Sequence, residues 1–218
     1  RCMAISTAVA VGKAGDALVD KVLERANRLR TGPGLDPDSD MGPLVTGAAK
    51  EKVAGLIETG VNEGAKLVLD GRDVRVEGHE DGFSIGPTLF DEVAPHMEIY
   101  KQEIFGPVLI VLRVADIDEA IQMINDNPYG NGTAIFTSNG AAARKFQNEI
   151  PVGMIGVNIP IPVPMAFYSF GGWKDSLFGD LHVHGPEGVA FYTRGKVVTT
   201  RWPVPRDSAV ELGFPTSR

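Results

Sequence analysis

Cysteine, positive charge and long apolar runs are all scarce in this sequence, and each scarcity excludes something. One cysteine in 218 residues, Cys2, rules out an intrachain disulfide framework and suits a reducing compartment. A formal net charge of −7 argues against nucleic acid or an anionic membrane surface as the main partner. No apolar stretch approaches the roughly 18 residues that a membrane-spanning helix requires. There is no internal repeat, no low-complexity tract and no signal-like opening. The chain starts Arg1-Cys2 without a methionine, which reads as the beginning of a piece of a longer protein, so a missing targeting segment bears little on the parent. With 43% hydrophobic residues the chain can bury a sizeable core, enough for one large domain or one domain plus an extension.

Several familiar motifs are also missing. "GNGTAIF" carries only two of the glycines of a dinucleotide fingerprint and precedes a strand, so no such fingerprint lies in these residues. "DPDSDMG" imitates the start of a calcium loop, but its glycine comes one place late and Gly47 stands where the bidentate glutamate belongs. "LHVHG" sets His182 and His184 two apart with no cysteine or carboxylate cluster beside them. They read as ordinary surface or interface histidines, and no metal site is expected.

What is present alternates between helix and strand. "STAVAVG" is a β-branched strand, followed by a helix with Leu18, Val22, Ala26 and Leu29 in line. Asp16 and Asp20 at its front and Arg28 and Arg30 at its back match the helix dipole, with Gly32 as its stop. "TGAAKEKVAGLIETGVNEG" is a second helix, ending at Gly64 and leading into the strand "AKLVLDG". "SIGPTLF" and "GPVLIVLRV" are strands, the latter apolar on both faces and so central. "DIDEAIQMINDN" opens on a capping box from Asp116 to Glu119. "TAIFTS" and "VGMIGVN" are strands around the helix "NGAAARKFQNEI". After Asn158 the proline-rich "IPIPVPMAFYSFGGW" is irregular. "GKVVTTRW" gives one late strand over 196–202, whose economical partner is another subunit, and residues after it form a tail. The fold class is α/β, with a C-terminal arm.

Three places invite chemistry. Cys2 alone is ambiguous, because isolated cysteines are usually inert small hydrophobes. A nucleophilic role requires a lowered pKa, for which Arg1 or a helix starting at Cys2 would supply positive potential. Glu103, in "KQEIFGPVL", sits in a loop just before a strongly apolar strand, where ligand-binding carboxylates are often held; the alternative is a solvated surface glutamate. "SFGGWK" offers glycines for close backbone approach and rings for a pocket wall, or simply core aromatics at a tight turn.

Taken in order, "RC", "MGPLV", "EIFGPVL", "NPYGNGTAIFT", "GVN" and "FGG.K" resemble the C-terminal half of the aldehyde dehydrogenase superfamily, across residues 1 to 202. "GVNIPIPVPMAFYSFGGWKDSLFGDLHVHG" is most similar to its CoA-acylating methylmalonate-semialdehyde dehydrogenase branch. The resemblance implies a catalytic domain over 1–190, built on a mostly parallel sheet flanked by helices. It further implies an oligomerisation strand in 191–203, a tail over 204–218, and an NAD-binding domain upstream of this chain. It makes Cys2 the catalytic nucleophile, which also lends a backbone N–H to the oxyanion, and Arg1 the grip on a substrate carboxylate. Phe170 would line the substrate tunnel. Glu103 would bind the nicotinamide ribose, Phe105 would pack beside the nicotinamide, and Asn158 would support the pocket.

The activity implied is oxidation of malonate or methylmalonate semialdehyde to acetyl- or propionyl-CoA with loss of CO2, as in valine or inositol breakdown. NAD would be the cofactor and coenzyme A the cosubstrate. The partners implied are a small carboxylated aldehyde and further copies of the chain, as homodimer or homotetramer, with no nucleic acid and no membrane. The compartment implied is bacterial cytoplasm, or the mitochondrial matrix in a eukaryote. Two other readings remain open at this point: a hydrolytic, non-acylating dehydrogenase, and a chain that in isolation only folds and assembles.

Overall fold

A computed structural model describes residues 2–202, so the expectations for Arg1 and for the tail 204–218 lie outside the described residues. The chain runs β1 (Thr7–Val11), α1 (Ala14–Ala26), α2 (Gly47–Asn62), β2 (Lys66–Leu69), β3 (Thr88–Asp91), α3 (Glu98–Lys101) and β4 (Val108–Val114). It continues through α4 (Ile117–Asp126), β5 (Tyr129–Gly130), β6 (Gly132–Ile135), α5 (Gly140–Glu149), β7 (Met154–Val157), β8 (Trp173–Lys174) and α6 (Gly185–Tyr192).

The main sheet has the order β1-β4-β3-β2, so the strand that is apolar on both faces is indeed interior. β4 runs parallel to both β1 and β3, while β2 joins antiparallel with a bulge between Leu67 and Leu69. Period-2 alternation along β4 divides the core. Ile110 and Leu112 pack with Val53 and Ile57 of α2, Phe90 and Ile99. Val111 packs on the opposite side with Leu89, Ala10 and Val19 of α1. Helices therefore cover both faces, as a parallel sheet requires. A second parallel pair, β6 with β7, sits against α4 and α5 through Ile121, Phe146, Ile150 and Val152.

Caps set the helix starts. The Thr46 hydroxyl accepts from Ala49 N, and Gly64 at φ +89° follows α2. Asp116 accepts from the backbone N–H of Asp118 and Glu119, while Glu119 reaches back to Ala115 N, one residue before the usual capping-box partner.

One expectation changes. α1 stops at Ala26, so Leu29 is exposed, and Arg28 and Arg30 lie beyond the helix, where only Arg25 is a basic residue of the last turn. Arg30 instead pins the following loop by pairing with Asp36 and donating its backbone N–H to Asp40. These loop contacts outcompete one more helical turn. Residues 193–202 form neither helix nor strand among the described residues, and Val197 and Trp202 are 94% and 89% exposed. The strand expected over 196–202 takes its ladder from another subunit, so its form in the single chain leaves that expectation where it was.

Candidate active site

Cys2 occupies an exposed turn just ahead of β1. No helix begins at Cys2 among the described residues. Its neighbour Met3 anchors the turn: the Met3 sulfur accepts from Asn131 Nδ2 at 3.3 Å, and its methyl lies over Gly132. Pro162 approaches the same glycine. The thiol turn thus meets the "NPYGNGT" segment and the proline-rich stretch, two of the pieces the sequence singled out.

Glu103 and Phe105 share the loop between α3 and β4. Ile104 between them is buried, as is Val108 beyond, and the backbone at Gly106 lies so close to Val53 of α2 that any side chain there would collide. Lys52 of α2 donates to the Glu103 carbonyl oxygen at 2.9 Å. The loop is therefore gripped by its backbone and by Ile104, and its functional side chains are left free. The exposed Glu103 carboxylate has no hydrogen-bond partner among the described residues. Phe105 is held at φ +53° and is 54% exposed. Left-handed backbone costs a bulky residue about 1–2 kcal/mol, and an exposed ring recovers none of it by burial. Strain of this kind marks positions where a ring is being presented. A free carboxylate suits a ribose diol and a presented ring suits a flat heteroaromatic, so Glu103 and Phe105 fit the nicotinamide half of NAD.

Phe170 is half-buried after the proline-rich stretch, edge-on to His184 with ring centroids 5.3 Å apart. Asn158, at φ +57°, closes the end of the β6–β7 pair. Its side chain both accepts from Thr137 N, at 2.9 Å, and donates to Thr137 O, at 3.1 Å. These two bonds brace the chain just beyond β7 against the chain just beyond β6.

Sequence reasoning missed three groups. Lys52 carried no signal, since a lysine on a helix is ordinarily solvated. Lys174, in "SFGGWK", inserts its ammonium among the carbonyls of Ile124, Asn125 and Asn127 at the end of α4. His182 is no ordinary surface histidine: its side chain is only 12% exposed and it bonds with Ser169 and Gly172. The pairing of His182 with a Ser169 thirteen positions earlier leaves no periodic trace.

The thiol turn precedes β1 and the Glu103–Phe105 loop precedes β4 of the main sheet, whereas the Phe170 stretch leads into β8, which pairs with β5 outside that sheet. The sequence pattern of the aldehyde dehydrogenase family matches residues 1–198. The chain belongs to the aldehyde dehydrogenase family. It is 58% identical over 218 residues to malonate-semialdehyde dehydrogenase of Pseudomonas aeruginosa, with 99% of this chain and 44% of that protein covered. It is 53% identical over 219 residues to the mitochondrial, acylating methylmalonate-semialdehyde dehydrogenase of Arabidopsis thaliana, with 100% of this chain and 36% of that protein covered. Its structure superposes with TM-score 0.82 on a Mycobacterium tuberculosis aldehyde dehydrogenase solved with NAD+, at 33% identity, covering 94% of this chain and 41% of the other. The chain thus spans less than half the length of these aldehyde dehydrogenases. Among the described residues, no helix is long and apolar enough to cross a membrane.

Proposed function

We propose that this chain supplies the nucleophile, the nicotinamide-side contacts and the substrate wall of an NAD-dependent, CoA-acylating dehydrogenase. Its substrate would be malonate or methylmalonate semialdehyde. The observation that carries the reading is the 103–105 loop, whose backbone is clamped while a free carboxylate and a strained, exposed ring face outward. The relatives' names support the substrate class, and the word acylating in one of them supports coenzyme A.

In this reading the Cys2 thiolate attacks the aldehyde carbon and forms a thiohemiacetal, with the Cys2 N–H helping to hold the oxyanion. Arg1, beside it in sequence, pairs with the substrate carboxylate and so sets the aldehyde over the sulfur. When bound, NAD accepts the hydride that turns the thiohemiacetal into a thioester. Glu103 and Phe105 hold the ribose and the ring for that transfer, and Phe170 closes the pocket. The thioester carbonyl lets the β-carboxylate leave as CO2, the resulting enolate takes up a proton, and the CoA thiol then displaces Cys2 to give acetyl- or propionyl-CoA. Segment 191–203 serves as an assembly arm between copies of the chain, in a homodimer or homotetramer, supported by the exposure of Val197, Val198 and Trp202. The compartment is bacterial cytoplasm or mitochondrial matrix.

Full-length protein carrying Cys2→Ala is expected to lose NADH production from malonate semialdehyde, and Arg1→Leu to lose its preference for carboxylated over plain aldehydes. Wild-type turnover should require CoA and yield acyl-CoA. NADH production that persists in Cys2→Ala would overturn the assignment of the nucleophile, and free acid formed without CoA would indicate the hydrolytic alternative.

A further inference from the structure

The stretch from Phe167 to Gly172 and the start of α6 are fastened together by side chains that the reaction above does not use. The Ser169 hydroxyl donates to Glu187 Oε2 at 2.9 Å and also lies against His182 Nδ1. The same Glu187 oxygen takes the His182 backbone N–H at 3.1 Å. On its far side, His182 Nε2 meets the Gly172 carbonyl oxygen at 3.0 Å, an acceptor, so this nitrogen is the donor. The imidazole lies so close to Gly171 that a Cβ there would collide with Cδ2, Cγ and Nε2 of the ring. These donated bonds hold the Glu187 carboxyl below the usual carboxylate range, the Ser169 hydroxyl contributing most and the His182 N–H next.

This is not a nucleophilic triad. A triad histidine presents one nitrogen to the serine and the other to the acid, which leaves the serine proton free to move. Here Nε2 is occupied by a backbone carbonyl, and the serine proton goes directly to the carboxylate. What the cluster does is hold position. Ser169 precedes Phe170 and Gly172 follows two residues after it, so both ends of the stretch that carries this ring are tied to one partly buried imidazole. His184, on the same segment, then meets the Phe170 ring edge-on.

We propose that His182, braced by Ser169 and Glu187, is a positioning residue that fixes Phe170 against the aldehyde and so sets the affinity for small substrates. The inference deepens the functional reading above and rests on its placing Phe170 in the substrate pocket.

The test uses full-length protein and the variants His182→Leu, Ser169→Ala, Ser169→Thr and Glu187→Gln. His182→Leu and Ser169→Ala should raise KM for malonate semialdehyde about tenfold, as expected for the loss of a buried hydrogen bond, with kcat falling less. KM for NAD should stay within about twofold because Glu103 and Phe105 belong to another loop, and Ser169→Thr, which keeps the hydroxyl, should restore KM. An unchanged aldehyde KM in both His182→Leu and Ser169→Ala would overturn the proposal. So would aldehyde and NAD constants that rise together, since that indicates general loosening.

Hydrogen exchange separates this failure from failure of the functional reading. Amides of residues 170–173 should exchange about tenfold faster in Ser169→Ala, and also in Glu187→Gln, while those of β4 are unaffected. If that holds but wild-type protein oxidises no carboxylated aldehyde, the clamp stands and the substrate assignment falls. Unchanged exchange in both variants refutes the clamp itself.

Discussion

Lys52 of α2 donates its ammonium to the backbone carbonyl of Glu103 at 2.9 Å, leaving the carboxylate of that glutamate unpaired. The consequence is a division of labour within one residue, in which the main chain is anchored and the side chain is available. Lys52→Met should leave the core intact, because Val53 and Ile57 supply the buried face of α2. It should raise KM for NAD in the full-length enzyme by about three- to tenfold, the effect of one charge-assisted hydrogen bond acting through loop position. KM for the aldehyde should hardly move. Steady-state kinetics with each substrate varied checks this, and an unchanged KM for NAD would show that the loop keeps its place by apolar packing alone.

Arg113 of β4 grips Asp91 at the end of β3 with Nε to Oδ1 at 2.9 Å and Nη2 to Oδ2 at 2.8 Å, and its remaining arm reaches Asp16 of α1 at 2.7 Å. Asp91 is 1% exposed, so removing the arginine strands a buried carboxylate. Arg113→Met is expected to lower Tm by about 5–10 °C, and the double change with Asp91→Leu to recover part of it, since an apolar pair of similar shape has no charge to desolvate. The pH dependence has a definite sign. Arg113, and less strongly the Glu92 N–H, hold the Asp91 carboxyl below its ordinary value of 3.8. A lowered folded-state pKa contributes stability that is fully present above 3.8 and is lost as pH falls through the lower folded value. The stability gap between wild type and Asp91→Asn should therefore persist from neutral pH down to about 4 and close only below it, as urea denaturation at a series of pH values would reveal.

Lys174 sits at φ +52° and spends its three ammonium protons on the carbonyls of Ile124, Asn125 and Asn127. Those oxygens lie at the C-terminal end of α4, where Ile124 O also takes the Asn127 N–H at 3.3 Å, and a cation is favoured at that pole. Lys174→Met should destabilise the protein by about 2 kcal/mol, within the range for hydrogen bonds to a charged group. The same change at the exposed Lys13 should cost nothing measurable. A urea midpoint for Lys174→Met equal to that of Lys13→Met would refute the cap.

How much was legible in the sequence varied with the range of the cause. The position of β4 followed from "VLIVLRV", because a strand apolar on both faces can be satisfied only between layers. The start of α4 followed from Asp116, whose oxygen serves N–H groups two and three residues away. The sequence singled out Glu103, Phe105, Phe170 and Asn158 as candidates, but it carried no sign of what holds each of them. α1 was drawn too long because Arg30 answers to Asp36 and Asp40 rather than to a helix. Segment 196–202 has strand composition without a strand to pair with, and composition cannot supply the second strand.

The sequence by itself determined the alternation of helix and strand, the central strand and the start of α4, each of which rests on neighbours within a few positions, and it singled out Glu103, Phe105 and Phe170 as candidates. The tertiary structure alone decided how those residues are presented. Phe105 is left-handed because Ile104 is buried and Gly106 lies against Val53. Glu103 is free because Lys52 takes its carbonyl instead. Phe170 is held because an imidazole twelve residues further on binds the carbonyl of Gly172. Each of these depends on atoms far apart along the chain, and only the folded packing fixes the distances between them.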